Sequence, residues 1–203
     1  MADVNCVVFD VGNVLIAWDP ENLYRRLIPD PAARMRFLTE VCTMAWNLEQ
    51  DRGRPWDEAI AERIALFPEH EALIRAFDED WHEMVAGPIA GTVRILERLK
   101  AADVPLYAIT NFSGAKFVEA RRRFPFLDSF VDVVVSGDER LLKPEAAIYR
   151  LLLSRNGLDP ERAVFIDDSA ANIAGAEAVG MRGHLFRDPE QLETALTGLG
   201  LVF

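Results

Sequence analysis

Residues 6–13 read Cys-Val-Val-Phe-Asp-Val-Gly-Asn, and the fold is decided here. The apolar residues Cys6, Val7, Val8 and Phe9 form an unbroken run that stops at Asp10 and Gly12. Such a run is too short for a buried helix and suits a strand covered on both faces. Similar runs recur at Leu106–Ile109, at Val131, Val133, Val134 and Val135, and at Ala163–Ile166. Helical patterns separate them. Within Ile89–Leu99, Val93, Ile95, Leu96 and Leu99 fall on roughly one face, with Arg94, Glu97 and Arg98 turned away. Pro144–Leu153 repeats the pattern, with Pro144 at the helix start and Gly157 just past its end. Strands alternating with helices over residues 88–186 predict an α/β fold built on a parallel, doubly wound sheet.

Residues 16–87 carry a different signature. Helical patterns cover Arg34–Trp46, Trp56–Phe67 and Glu71–Val85, and no strand-like run interrupts them. All four tryptophans fall here, with 8 basic against 15 acidic residues. A helical stretch between the first strand and the rest of a parallel sheet reads as an inserted cap subdomain. The expected division is therefore a core of residues 1–15 and 88–203 and a small α-helical cap of residues 16–87.

Composition excludes several roles. At 203 residues the chain suits one large domain or a core with a small insertion. Half the residues are hydrophobic, enough for a sizeable core. A net charge of −11 makes the chain a poor partner for nucleic acid or an anionic membrane. Cys6 and Cys42 are too few for a disulfide framework and lack metal-ligand spacing. No apolar run reaches the roughly 18 residues of a membrane span, and the first residues lack the basic segment of a secretion signal. A cytoplasmic protein, monomeric or homodimeric, is the expectation.

Ligands of an open parallel sheet bind at the carboxyl ends of its strands, so the polar residues after each apolar run matter most. These are Asp10, then Thr110 and Asn111, then Asp167 and Asp168; Lys143 sits before Pro144. Each has a commonplace reading by itself: a turn former, a helix cap, a solvated lysine. Together they place three carboxylates, an ammonium and a hydroxyl at one sheet edge. Carboxylates so crowded need a cation, and hard oxygen donors suit Mg²⁺. A fixed lysine and a hydroxyl suit a phosphoryl group under in-line attack, and an aspartate can itself be the nucleophile.

These segments resemble the haloacid dehalogenase-like (HAD) hydrolases. Phe-Asp-Val-Gly-Asn-Val-Leu at 9–15 is similar to the first motif of that family, Ile-Thr-Asn at 109–111 to the second, Lys-Pro at 143–144 to the third and Phe-Ile-Asp-Asp at 165–168 to the fourth. The resemblance covers nearly the whole chain and is nearest to bacterial sugar-phosphate phosphatases. It implies a Rossmann-like core with Asp10 as nucleophile and Thr110, with Asn111, binding phosphate. Lys143 would bridge nucleophile and phosphate. Asp10, the Gly12 carbonyl, Asp167 and Asp168 would hold Mg²⁺ or its waters. The implied activity is hydrolysis of a small phosphorylated metabolite through an aspartyl-phosphate.

One position departs from the family. Most of its phosphatases carry a second aspartate two residues after the nucleophile, as general acid and base; here Gly12 stands there. His82, Glu83 or a metal-bound water are candidates for that work. A 2-haloacid dehalogenase, using the same aspartate without metal, is the alternative activity, although the pair Asp167–Asp168 is ill suited to a metal-free site. A binding protein with little turnover is a third reading.

Overall fold

The structure, a computed structural model, describes residues 3–203; residues 1 and 2 of the expected core segment lie outside it. Its strands are β1 (Cys6–Phe9), β2 (Ile16–Trp18), β3 (Val85–Pro88), β4 (Leu106–Thr110), β5 (Asp132–Val135), β6 (Ala163–Asp167) and β7 (Arg182–Leu185). Five of them form a parallel sheet in the order β5-β4-β1-β6-β7, with β1 at its centre. Val8 stands opposite Tyr107 on one side and Phe165 on the other.

Successive side chains of a strand point to opposite faces, which explains the continuous apolar run of β1. Val7 and Phe9 enter one core, with Leu96 and Leu99 of α6 (Ala90–Ala101), Phe117 of α7 (Gly114–Arg123) and Leu192 of α11 (Pro189–Gly198). Cys6 and Val8 enter the other, with Ile148, Tyr149 and Leu152 of α9 (Ala146–Asn156) and Ile173 of α10 (Ala170–Glu177). Helices thus cover both faces, the doubly wound arrangement that the alternating pattern predicts. Truncating a fully buried leucine such as Leu96 costs about 2–5 kcal/mol in cores of this kind.

Several boundaries differ from the sequence pattern. The expected run at Val131 begins one residue later, at Asp132, and Val131 itself is exposed. The edge strand β7 carries the sequence Arg-Gly-His-Leu, only half-buried, so it has no apolar run to announce it. Pro144 does not open a helix. The chain turns there, with the Glu145 amide donating to the Leu142 carbonyl, and α9 begins at Ala146. Gly157 ends α9 in the left-handed conformation, as its position suggests.

The segment after β1 contains two short strands that its sequence pattern does not reveal. β2 and β3 pair antiparallel at its two ends; three or four residues are too few to show a period. Between them lie α1 (Glu21–Leu27), α2 (Pro31–Arg36), α3 (Met44–Asp51), α4 (Trp56–Leu66) and α5 (Glu71–Glu79). The expected helix 34–46 is interrupted: a wide turn at Phe37–Val41 follows α2, and Thr43 caps a new helix by accepting from the Trp46 amide. The expected helix 71–85 stops at Glu79, gives way to a tight turn at Trp81–Met84 and enters β3. Leu23, Tyr24, Phe37, Trp46 and Phe77 of this segment belong to the same apolar cluster as Val7 and Phe9.

Candidate active site

Because the strands of the main sheet are parallel, their carboxyl ends share one edge. Asp10 follows β1, Thr110 ends β4 and Asp167 ends β6. Lys143 arrives from the turn between α8 (Ser136–Glu139) and α9, and is buried. Its Nζ lies 2.7 Å from Asp10 Oδ1 and 2.7 Å from Asp167 Oδ2. The lysine's backbone is fixed as well: its amide donates to Asn111 Oδ1 (2.9 Å) and its carbonyl accepts from Asn111 Nδ2 (3.1 Å). The Asn111 side chain is thereby committed to positioning Lys143.

Asp167 is fully enclosed. Its Oδ1 accepts from the Ser169 amide (2.8 Å), and Asn172 Nδ2 reaches both carboxylate oxygens at 3.0 and 3.1 Å. Asn172 thus holds the loop after β6. Asp10 is anchored on one oxygen only: Oδ1 accepts from the Val11 amide (2.6 Å) and from Lys143, and no described residue donates to Oδ2. Asp10, Asp167 and Asp168 each offer a carboxylate oxygen, all within 4.8 Å of one another. The Thr110 hydroxyl is buried and has no hydrogen-bond partner among the described residues. An orphaned buried hydroxyl is costly unless a ligand satisfies it.

Burial dominates the electrostatics. It pushes Asp10 up to about 7, against the opposing pull of Lys143 and with a further push from Asp167. Burial works to lower Lys143, yet the two carboxylates beside it outweigh that cost and hold its ammonium above the usual lysine range. Asp168 is raised by burial and by its neighbour Asp167.

Asp10, Gly12, Asn111 and Asp168 line a cleft of about 250 Å³. Its opposite wall comes from the helical segment and is largely apolar: Trp18, Met44, Leu48, Trp56 and Trp81, with Phe112 from the sheet side. Trp56 stacks on Phe77 and donates from Nε1 to Ser113 Oγ (3.0 Å). Lys116, also at the cleft, is tied to Asp78 Oδ1 at 2.7 Å. The two parts meet closely at Gly53 (φ +98°), where a Cβ would lie 2.5 Å from the Gly137 carbonyl oxygen. Gly12, by contrast, has open space where a side chain would project.

The geometry brings together every residue singled out at the sheet edge. His82 and Glu83 lie elsewhere: His82 is exposed, and Glu83 makes a bidentate pair with Arg26 on the surface. The sequence reading missed Asp51, the last residue of α3, which lines the cleft. The sequence held no signal for it, because the expected helix ended at Trp46 and the helix that ends at Asp51 is seen only in the structure.

Comparison with known proteins agrees with this architecture. The chain is 27% identical over 180 residues to the sesquiterpene phosphatase astK of Aspergillus oryzae, covering 87% of this chain and 86% of that protein. It is 25% identical over 200 residues to a phosphorylated carbohydrates phosphatase of Thermotoga maritima, covering 88% and 82% respectively. A HAD family enzyme from Bacteroides thetaiotaomicron, solved with magnesium and inorganic phosphate, superposes with a TM-score of 0.70 at 20% identity over 91% of this chain and 95% of that one. The haloacid dehalogenase-like hydrolase family matches residues 4–180. With its parallel sheet, its buried lysine–carboxylate network and that match, the chain belongs to the haloacid dehalogenase-like hydrolases.

Proposed function

We propose that the chain is a Mg²⁺-dependent phosphatase that hydrolyses a small phosphorylated metabolite through an aspartyl-phosphate on Asp10. The observation that carries this reading is the charge balance at the sheet edge. Three carboxylates around one buried ammonium leave two formal negative charges uncompensated, which a divalent cation would neutralise. The donor set is all carboxylate oxygen, as a hard ion requires, and Gly12 lines the same cleft. Asp10, Asp167 and Asp168 would hold the ion, each offering one carboxylate oxygen. When bound, Mg²⁺ would offset the charge of the phosphoryl oxygens.

The residues of the chain do the remaining work. Asp10 Oδ2, to which no described residue donates, attacks phosphorus while Lys143 holds Oδ1. The Thr110 hydroxyl donates to a phosphoryl oxygen, and Asn111 keeps Lys143 in register. Residues 16–87 act as a cap that walls the cleft and limits it to small substrates. The aromatic wall suits a leaving group with an apolar face, as a sugar ring or a hydrocarbon chain presents. Metal-free dehalogenation would leave the two surplus negative charges beside an anionic substrate, so it ranks below the phosphatase. A non-catalytic binder would not need the unpartnered oxygen of Asp10.

The test is a panel of sugar, alkyl and aryl phosphates, p-nitrophenyl phosphate included, with Mg²⁺ and with chelator, run beside halide release from 2-chloropropionate. Phosphate release that chelator abolishes is the expected result. Halide release indifferent to chelator, or silence throughout, would overturn it.

A further inference from the structure

Four titratable side chains line the cleft: Asp10, Asp51, Lys116 and Asp168. Asp10 and Asp168 belong to the acidic cluster, and Lys116 is held by Asp78. Asp51 has no role in that cluster. It comes from the opposite wall, at the end of α3, and its carboxyl is oriented by Asn47, whose Nδ2 lies 3.0 Å from Oδ2. Its backbone carbonyl accepts from Ser136 Oγ, fixing the helix end to the core.

In-line displacement places the leaving oxygen on the far side of phosphorus from the attacking Asp10. Among the described residues, Asp51 is the one carboxyl that the helical segment contributes to the lining of the cleft facing Asp10. From this juxtaposition we infer that Asp51 is the general acid and base of the reaction, doing from the cap the work that family members assign to an aspartate at the position of Gly12. The inference rests on the phosphatase reading. In the first step the Asp10 Oδ–phosphorus bond forms, the bond from phosphorus to the leaving oxygen breaks, and the Asp51 proton passes to that oxygen. In the second, Asp51 takes a proton from the attacking water, the water oxygen bonds to phosphorus, and the Asp10–phosphorus bond breaks. Phosphate departs and both carboxyl groups return to their starting states.

The surroundings of Asp51 suit the role. Burial pushes it up to about 7, against a hydrogen bond from the Ser113 backbone and the more distant charge of Lys143. A group poised near neutrality is the most effective proton donor at that pH.

The test compares kcat/KM of the parent and Asp51→Asn on an alkyl phosphate and on p-nitrophenyl phosphate, whose leaving group departs without a proton. The variant should lose about 10²-fold or more on the alkyl ester, and at least about tenfold less than that on the aryl ester. Equal losses on both, which a purely structural role would give, or no loss on either, would overturn the inference. The parent itself supplies a check that does not depend on the variant folding. Its kcat/KM should vary little with leaving-group basicity across alkyl and aryl phosphates, and a steep dependence would sink the assignment. Failure of the parent to hydrolyse any ester of the panel would instead remove the phosphatase reading beneath it.

Discussion

The two walls of the cleft are held together by opposite means. The sheet-edge wall is a closed network in which Lys143 sits between Asp10 and Asp167 and every charge depends on another. The helical wall is held by rings: Trp46 edge-on to Trp56 and Phe77, Trp56 stacked on Phe77, Trp81 edge-on to Phe112. A buried charge stranded without any partner is strongly destabilising, whereas packed rings yield by degrees. On the proposed reading, the sheet-edge wall carries the nucleophile and its charge partners, and the helical wall carries selectivity together with the proton transfer of Asp51.

Three substitutions probe that contrast. Asp10→Asn should have the largest effect, abolishing turnover while leaving the fold intact, because Lys143 and Asp167 still balance each other. Full activity in this variant would remove the nucleophile from the network and the contrast with it. Lys143→Met leaves Asp10 and Asp167 facing each other without a cation, and should cost about 3–5 kcal/mol of stability in denaturant titration as well as activity. A cost below about 1 kcal/mol would mean that the charges are not interdependent. On the other wall, Trp56→Phe keeps a ring but drops the hydrogen bond to Ser113, and should cost only about 1 kcal/mol. It should shift the ratio of kcat/KM between bulky and compact phosphates by a few-fold, with little change in chelator sensitivity.

A further effect concerns pH. Asp51, raised to about 7 from 3.8, keeps its proton in the folded chain over a range where the unfolded chain has lost it. Its contribution to stability is complete below the unfolded value and is lost as pH rises through about 7. The stability of Asp51→Asn relative to the parent should therefore improve between about pH 5 and about pH 8, by about 2 °C or more in melting temperature. A difference that stays flat with pH would mean that Asp51 is ionised throughout, and that this wall carries charge like the other.

The sheet-edge wall was legible because its chemistry is local in the chain. Asp10, Thr110 and Asp167 each stand at the end of an apolar run, and a parallel sheet brings such ends to one edge whatever the rest of the chain does. Lys143 was legible only through its motif, since nothing in the residues around it tells of Asn111 gripping its backbone from 32 positions away. The helical wall resisted for a different reason. Its periodicity marks buried positions, but Trp46, Trp56 and Trp81 look alike in sequence, and only tertiary packing turns Trp56 and Trp81 toward the cleft. β2 and β3 escaped because strands of three and four residues carry no period, and Asp51 because it belongs to neither a motif nor a run.

The close approach at Gly53 bears on how readily the chain can be given new substrates. Added Cβ atoms would lie 2.5 Å from the Gly137 carbonyl oxygen at Gly53, and 2.9 Å from the Phe112 carbonyl oxygen at Gly137. At Gly53 main chain thus meets main chain between the two walls, in addition to the contacts that Trp56 and Trp81 make with Ser113 and Phe112. Libraries that rewrite Met44 and Leu48, both exposed, while sparing Gly53, Gly137 and the tryptophans would reshape the pocket without re-docking the helices.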